Sequence, residues 1–300
     1  MEYHVPVLLE PVIGGLNLKA NGIYVDATFG GGGHTKAILE KIADGKVIGI
    51  DQDEDAAKEA GKIRDRAFEF IPGNFRFITR YLNAAGIKKV GGILADLGVS
   101  SHQFDVPERG FSIRSDSELD MRMDKSSGIT ARSVLNNYKE AELTGIFSKY
   151  GEIGNAKKLA SVIVSARINQ PLRKTTDLLN VIRKFAPGNH TNKFFAKVFQ
   201  ALRIEVNDEM NSLREFLVQC PDLLSRGGRM AVISYHSLED RMVKNLMLRG
   251  NIEGKVEKDI YGNPANPFRP LTRRPIAADH QEISKNSRAR SAKLRIAEKL

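Results

Sequence analysis

A run of four glycines, set between an apolar stretch and a helix-forming one, constrains this chain more than any other feature. The stretch Tyr24-Val25-Asp26-Ala27-Thr28-Phe29-Gly30-Gly31-Gly32-Gly33-His34-Thr35 begins as a buried strand, and Thr35-Lys36-Ala37-Ile38-Leu39 opens a helix. The glycines bring nothing to a core, so their use is in the backbone. Gly admits positive φ and leaves no Cβ between a ligand and the main chain. In an α/β unit, the turn after the first strand is where nucleotide-like cofactors settle. A second apolar strand, Lys46-Val47-Ile48-Gly49-Ile50, follows and ends at Asp51. That acid lies about twenty residues past the glycines, where a carboxylate can accept both hydroxyls of an adenosine ribose.

The residues around the loop narrow the ligand. No Gly-Lys-Ser/Thr closes the turn, which excludes a Walker phosphate loop. Thr35 stands where a dinucleotide fingerprint has its third glycine, and Asp26 lies four residues before Gly30. An anion there repels a pyrophosphate but suits a sulfonium with an amino-acid tail. The pattern favours S-adenosylmethionine over a nicotinamide dinucleotide.

Three hundred residues make one large domain or two modest ones, and 41% hydrophobic residues suffice for a full core. The single cysteine, Cys220, precludes an internal disulfide and fits a reducing compartment. The start, Met1-Glu2-Tyr3-His4-Val5-Pro6, lacks the features of a signal peptide, and no stretch approaches the roughly 20 apolar residues of a membrane span. The expectation is a cytoplasmic protein with no membrane partner; monomer and homodimer both remain open. The net charge of +10 is unevenly spread. Residues 155–203 carry ten Lys/Arg against one acid, Asp177, and residues 268–300 carry nine against three. Two basic zones on an otherwise slightly acidic chain suggest contacts with a polyanion, the alternative being solvated helix faces.

In chain order, residues 5–18 show helical periodicity with Pro6 in the first turn, and 55–62 read as the helix after the second strand. Phe68-Glu69-Phe70-Ile71 is a third strand, after which Phe75 is placed either to stack on the adenine or to close the core at that edge. Gly91-Gly92-Ile93-Leu94-Ala95-Asp96-Leu97-Gly98 is the fourth, and its carboxyl end carries Asp96, then Ser100 and Ser101. Reacting groups gather at such a strand end, although a serine there also serves as a helix cap. The acids of 105–125 do not fit a calcium loop, and no metal is expected. Helical patterns then run from 131 to about 217, before a turn at Arg226-Gly227-Gly228-Arg229 and a fifth strand, Met230-Ala231-Val232-Ile233-Ser234. The expected fold is α/β, a Rossmann-like core of residues 1–104 and 213–300 with an inserted α-helical subdomain over 105–212. The His236-Ser237-Leu238-Glu239-Asp240 cluster is too local for a hydrolase triad, and Ser237 with Asp240 reads as a capping box. The basic tail from Asn286 to Arg295 either closes the sheet edge or lies on RNA phosphates.

Taken together, these segments resemble the MraW (RsmH) family, bacterial methyltransferases that act on cytosine N4 in small-subunit (16S) ribosomal RNA. The likeness runs through His4-x-Pro6-Val7-Leu8-Leu9, the glycine loop, Asp96-Leu97-Gly98-Val99-Ser100-Ser101 and Glu108-Arg109-Gly110-Phe111-Ser112. It continues in Leu119-Asp120-Met121-Arg122-Met123-Asp124, the stretch from Phe199 to Asn207, His236-Ser237-Leu238-Glu239-Asp240-Arg241, and the tail from Arg288 to Arg295. The resemblance implies a class I methyltransferase sheet, S-adenosylmethionine as cofactor, the small ribosomal subunit as partner, and RNA recognition by the insert. It places cofactor contacts at Gly32, Gly33 and His34, at Asp51 by the ribose, at Phe75 by the adenine, and at Asp96 and Gln103 near the methionine end. His102 stands where the family has Pro, and Lys197 where an arginine is usual; Lys keeps the charge but loses the bidentate fork.

A cytosine amino group is a poor nucleophile because its lone pair is delocalised into the ring, so the site must also accept its hydrogen. Asp96 is the first candidate acceptor, with Ser100 or Ser101 next. The Asn/Asp-Pro-Pro-Tyr/Phe motif of many amino-methyltransferases is replaced here by Asp96-Leu97-Gly98-Val99, so its roles do not transfer. The near rival, cytosine C5 methylation, requires a thiolate, for which Cys220 is the one candidate. A non-enzymatic RNA-binding assembly factor is the alternative of a different class.

Overall fold

The computed structural model describes residues 6–126, 128–186, 188–256, 258, 261–262 and 265–300; His4, quoted in the first motif above, lies outside them. The chain divides into two compact units, residues 1–98 with 210–300, and residues 99–209. Sequence patterning set these divisions at 104 and 212. Val99 packs on the helical core.

The first unit opens with helix α1 (Leu9–Leu16). The helix begins later than its periodicity suggests: Leu8 adopts a left-handed conformation that breaks the run, and Pro6 lies ahead of it, before the turn at Val7 and Leu8. Strand β1 (Ile23–Asp26) leads through the glycines into α2 (Gly33–Leu39), followed by β2 (Lys46–Asp51), α3 (Glu54–Ala60), β3 (Phe68–Pro72), α4 (Ile78–Ala84) and β4 (Val90–Asp96). Valines and isoleucines make β1, β2 and β4 nearly wholly buried, as strands covered on both faces must be.

The second unit is helical: α5 (Ser101–Asp105), α6 (Ala131–Asn137), α7 (Glu140–Lys149), α8 (Ala156–Asn169), α9 (Thr175–Ile182) and α10 (Thr191–Val206). One apolar cluster, built around Phe147, Leu159, Ile163, Val198 and Leu202, holds α6 to α10 together. Three segments singled out in the sequence meet in this unit. Buried Arg109 donates to the carbonyls of Arg122 and Met123, while Asn207 donates to the Met121 carbonyl and accepts from the Met123 amide. Their shared role is to hold the 119–124 loop.

The chain returns to the first unit through α11 (Glu209–Leu223) into β5 (Leu224–Ser234). The expected turn at 226–229 is instead a bulge within β5: the register against β4 slips between Val90 and Gly92, and Gly227 supplies the positive φ. Helix α12 (Ser237–Arg249), short β6 (Phe268–Pro270), α13 (His280–Lys285) and β7 (Lys293–Lys299) complete the chain. The sheet order is β3-β2-β1-β4-β5-β7-β6, with the first five strands parallel and β7 antiparallel to both neighbours. The basic tail therefore lies inside the sheet from Lys293 onward. Arg295 is buried there and forms an ion pair with Asp240 of α12 at 2.7 Å. Among the described residues, no helix is long and apolar enough to cross a membrane.

Candidate active site

Strand order reverses between β1 and β4, and ligands of open α/β sheets bind in the crevice beyond the carboxyl ends at such a switch. The glycine loop sits there on an aromatic base. Phe29 stacks on Phe68 at 5.4 Å and meets Phe70 edge-on at 5.3 Å, and its amide donates to the Ile50 carbonyl. Gly32 adopts φ +75°, and a Cβ there would lie 2.6 Å from the Phe29 ring; at Gly33 it would run into Pro6. The loop thus stays close and bare because its neighbours exclude side chains. His34 turns away from the crevice: its buried imidazole donates from Nε2 to the Val7 carbonyl at 3.1 Å. Burial lowers its pKa to about 4, so the ring is neutral and anchors the N-terminal segment. What His34 can offer a ligand is main chain.

Three strand ends each present a carboxylate. Asp26, at the end of β1, is fully buried; Thr35 Oγ1 donates to its Oδ2 at 2.8 Å. The threonine that replaces a third glycine is thus the residue that holds Asp26. Asp51, ending β2, accepts from the amides of Gly30 at 2.8 Å and Asp53 at 3.0 Å. Asp96, ending β4, accepts from the Tyr235 hydroxyl through Oδ1 at 2.8 Å, while its amide donates to Thr28 Oγ1. Burial raises Asp26 and Asp51 to about 6 and Asp96 to about 7. Nearby anions add to the rise: Asp51 acts on Asp26, Asp53 on Asp51, and Asp26 with Glu239 on Asp96. Such a cluster favours a cationic ligand, whose charge would restore the ionised forms. Asp51 accepts from backbone amides of the glycine loop and of the turn after β2, and acceptor capacity that a carboxylate retains beyond these suits the hydroxyls of a ribose. The donor set therefore fits S-adenosylmethionine.

Phe75 lies in a short 3₁₀ turn after β3, half-buried, with its ring edge-on to Phe216 at 5.1 Å. It supports the core on one side while remaining partly accessible. Ser100 and Gln103 belong to the helical unit and cap α5 together: Ser100 Oγ accepts from the Gln103 amide and Gln103 Oε1 from the Ser100 amide, both at 3.1 Å. Ser101 is the first residue of α5. Cys220 is fully buried in α11 with its thiol pushed well above the usual range.

Two residues with no role in the sequence reading prove central. Tyr235 follows β5 directly, and Glu239 is buried on the first turn of α12. The capping box of α12 starts one residue earlier than expected. His236 Nδ1 accepts from the Glu239 amide, and the Glu239 carboxylate accepts from the amides of Tyr235 and His236. The signal for it was an acid three residues after a strand-end histidine.

A sheet of this order, with a glycine loop after β1 and acids ending β1, β2 and β4, is a Rossmann-like class I methyltransferase core. The sequence model of the MraW methylase family matches residues 1–300. Proteins called ribosomal RNA small subunit methyltransferase H are similar throughout. That of Flavobacterium johnsoniae is 54% identical, covering 100% of this chain and 99% of its own. The Cytophaga hutchinsonii protein is 50% identical over 99% of both chains, and one from Bacteroides fragilis 52% over 99% of this chain and 97% of its own. This chain belongs to the MraW methylase family.

Proposed function

We propose that the chain methylates N4 of a cytidine in small-subunit ribosomal RNA, using S-adenosylmethionine, in the decoding region of the assembled subunit and in the cytoplasm. The carrying observation is the trio Asp26, Asp51 and Asp96 around the glycine loop. On this reading Gly32, Gly33 and the His34 main chain line the cofactor, Asp51 takes the ribose, Phe75 the adenine edge, and Asp96 and Gln103 the methionine end. Bound there, S-adenosylmethionine supplies a methyl group made electrophilic by its sulfonium.

The protein's own work is placement and proton acceptance, since an in-line displacement needs its partners held in register. Asp96 accepts the hydrogen that the cytosine amino group sheds as its nitrogen becomes tetrahedral. Ser100, whose hydroxyl oxygen caps α5, is a lesser candidate, as is Ser101. A C5 methylation has no usable nucleophile, because the one thiol is buried and held protonated. The target base must leave its stack to reach such a crevice. The helical unit offers RNA a basic surface. Lys157, Lys158, Arg173, Arg183, Lys184 and Lys193 are exposed there, and among the described residues none has a carboxylate partner. Half-buried Phe185 lies among them, with the ammonium groups of Lys158 and Lys184 at 6.0 and 5.7 Å from its ring.

The test is methyl transfer to small subunits isolated without the modification, read by nucleoside mass spectrometry. N4-methylcytidine is the expected product; 5-methylcytidine alone, or no product, would overturn the proposal.

A further inference from the structure

We infer that Tyr235 is a positioning residue for methyl transfer: its hydroxyl fixes which oxygen of Asp96 faces the substrate and keeps that carboxylate in its accepting form. The inference rests on the reading of Asp96 as hydrogen acceptor. Tyr235 reaches Asp96 because β4 and β5 are paired with Asp96 beside Ile233, so the residue just past the end of β5 lies next to the β4 terminus. Its backbone is pinned there because its amide N–H donates to Glu239 Oε2 at 2.8 Å. The hydroxyl donates to Oδ1. Among the described residues no group donates to Oδ2, which leaves that oxygen for an incoming amino group.

The groups facing Asp96 otherwise oppose its ionisation. Asp26 approaches from β1 and Glu239 from α12, both anionic, and Glu282 of α13 adds its charge near Tyr235. Thr28 takes only the Asp96 amide. Burial together with these anions brings Asp96 up to about 7, and the Tyr235 hydrogen bond is the side-chain contact that counters them. A protonated Asp96 cannot accept. As N4 takes the methyl group, its proton must pass to Oδ2 and then to solvent. Without the hydroxyl, more of Asp96 is protonated at neutral pH and its carboxyl group is free to rotate.

The experiment compares Tyr235→Phe with the wild type, and uses Asp96→Asn as reference. Carboxyl ¹³C NMR of the aspartate-labelled, cofactor-free protein gives the Asp96 titration, assigned by its loss in Asp96→Asn. In Tyr235→Phe its midpoint should move up by about one unit, the worth of one hydrogen bond to a charged group. The acid limb of the kcat–pH profile should move by the same amount, with the rate recovering at high pH and KM for the RNA substrate unchanged. Fluorotyrosine at position 235, a more acidic donor, should move both the other way. An unmoved midpoint, or a rate lowered equally at every pH, overturns the role of Tyr235. An Asp96→Asn enzyme as active as the wild type instead removes Asp96 as acceptor, and the inference with it.

Discussion

Asp51 is the residue whose chemistry most directly commits the site to a ligand. It closes β2 and ties down the amides of Gly30 and Asp53; in the proposed function it accepts the ribose hydroxyls. Asp51→Ala should weaken S-adenosylmethionine binding at least about 100-fold, as expected for two hydrogen bonds to a charged group. Calorimetry on the purified protein measures this directly, and an unchanged affinity would remove the basis for the cofactor assignment. Single residues were legible in sequence when their role followed from chain position. Asp51 and Asp96 announced themselves as acids at strand ends. Tyr235 did not, because its partner is 139 residues away and only the pairing of β4 with β5 brings them together. His34 was legible as part of the loop, but its imidazole bonds to Val7 for reasons of burial that no local pattern carries.

At the scale of elements, periodicity located the parallel strands and the helical insert, and erred where local chemistry was ambiguous. Gly227-Gly228 reads as a turn, yet strong pairing on both sides of β5 absorbs it as a bulge. A basic tail reads equally as an RNA arm and as a strand. Continuous burial from Leu294 to Ala297 against β5, with Arg295 neutralised by Asp240, selects the strand from Lys293 onward. The helical unit depends on a polar knot that its periodicity does not reveal. Asn207 makes bonds of 2.7–2.9 Å to Met123, Met121 and Arg203. Asn207→Ala should lower stability by roughly 2–3 kcal/mol, since part-buried backbone groups lose their partners. Thermal unfolding followed by circular dichroism would register this as a fall of several degrees in Tm; no fall would mean that the 119–124 loop is held by Arg109 and packing alone.

At the scale of the whole molecule, the basic residues are disposed differently in the two units. The basic tail is partly neutralised within the first unit, where Asp240 pairs with both Arg295 and Lys293. In the helical unit Lys174 pairs with Asp116, while Lys157, Lys158, Lys184 and Lys193 are exposed. The double substitution Lys158→Glu with Lys184→Glu should weaken binding to the ribosomal substrate and flatten its salt dependence by about one to two units of log–log slope. S-adenosylmethionine affinity should be unaffected, and filter binding across a salt series would show whether the slope changes. The sequence by itself determined the class of the fold, the glycine loop with acids ending the strands around it, and the family, because these depend on local periodicity and on motifs contiguous along the chain. Only the tertiary structure decided which carboxylates share one crevice, that Tyr235 completes it, and that Cys220 is sealed away. Those outcomes depend on burial and on contacts between strands distant in sequence, where each group's charge is set by neighbours that the sequence does not place beside it.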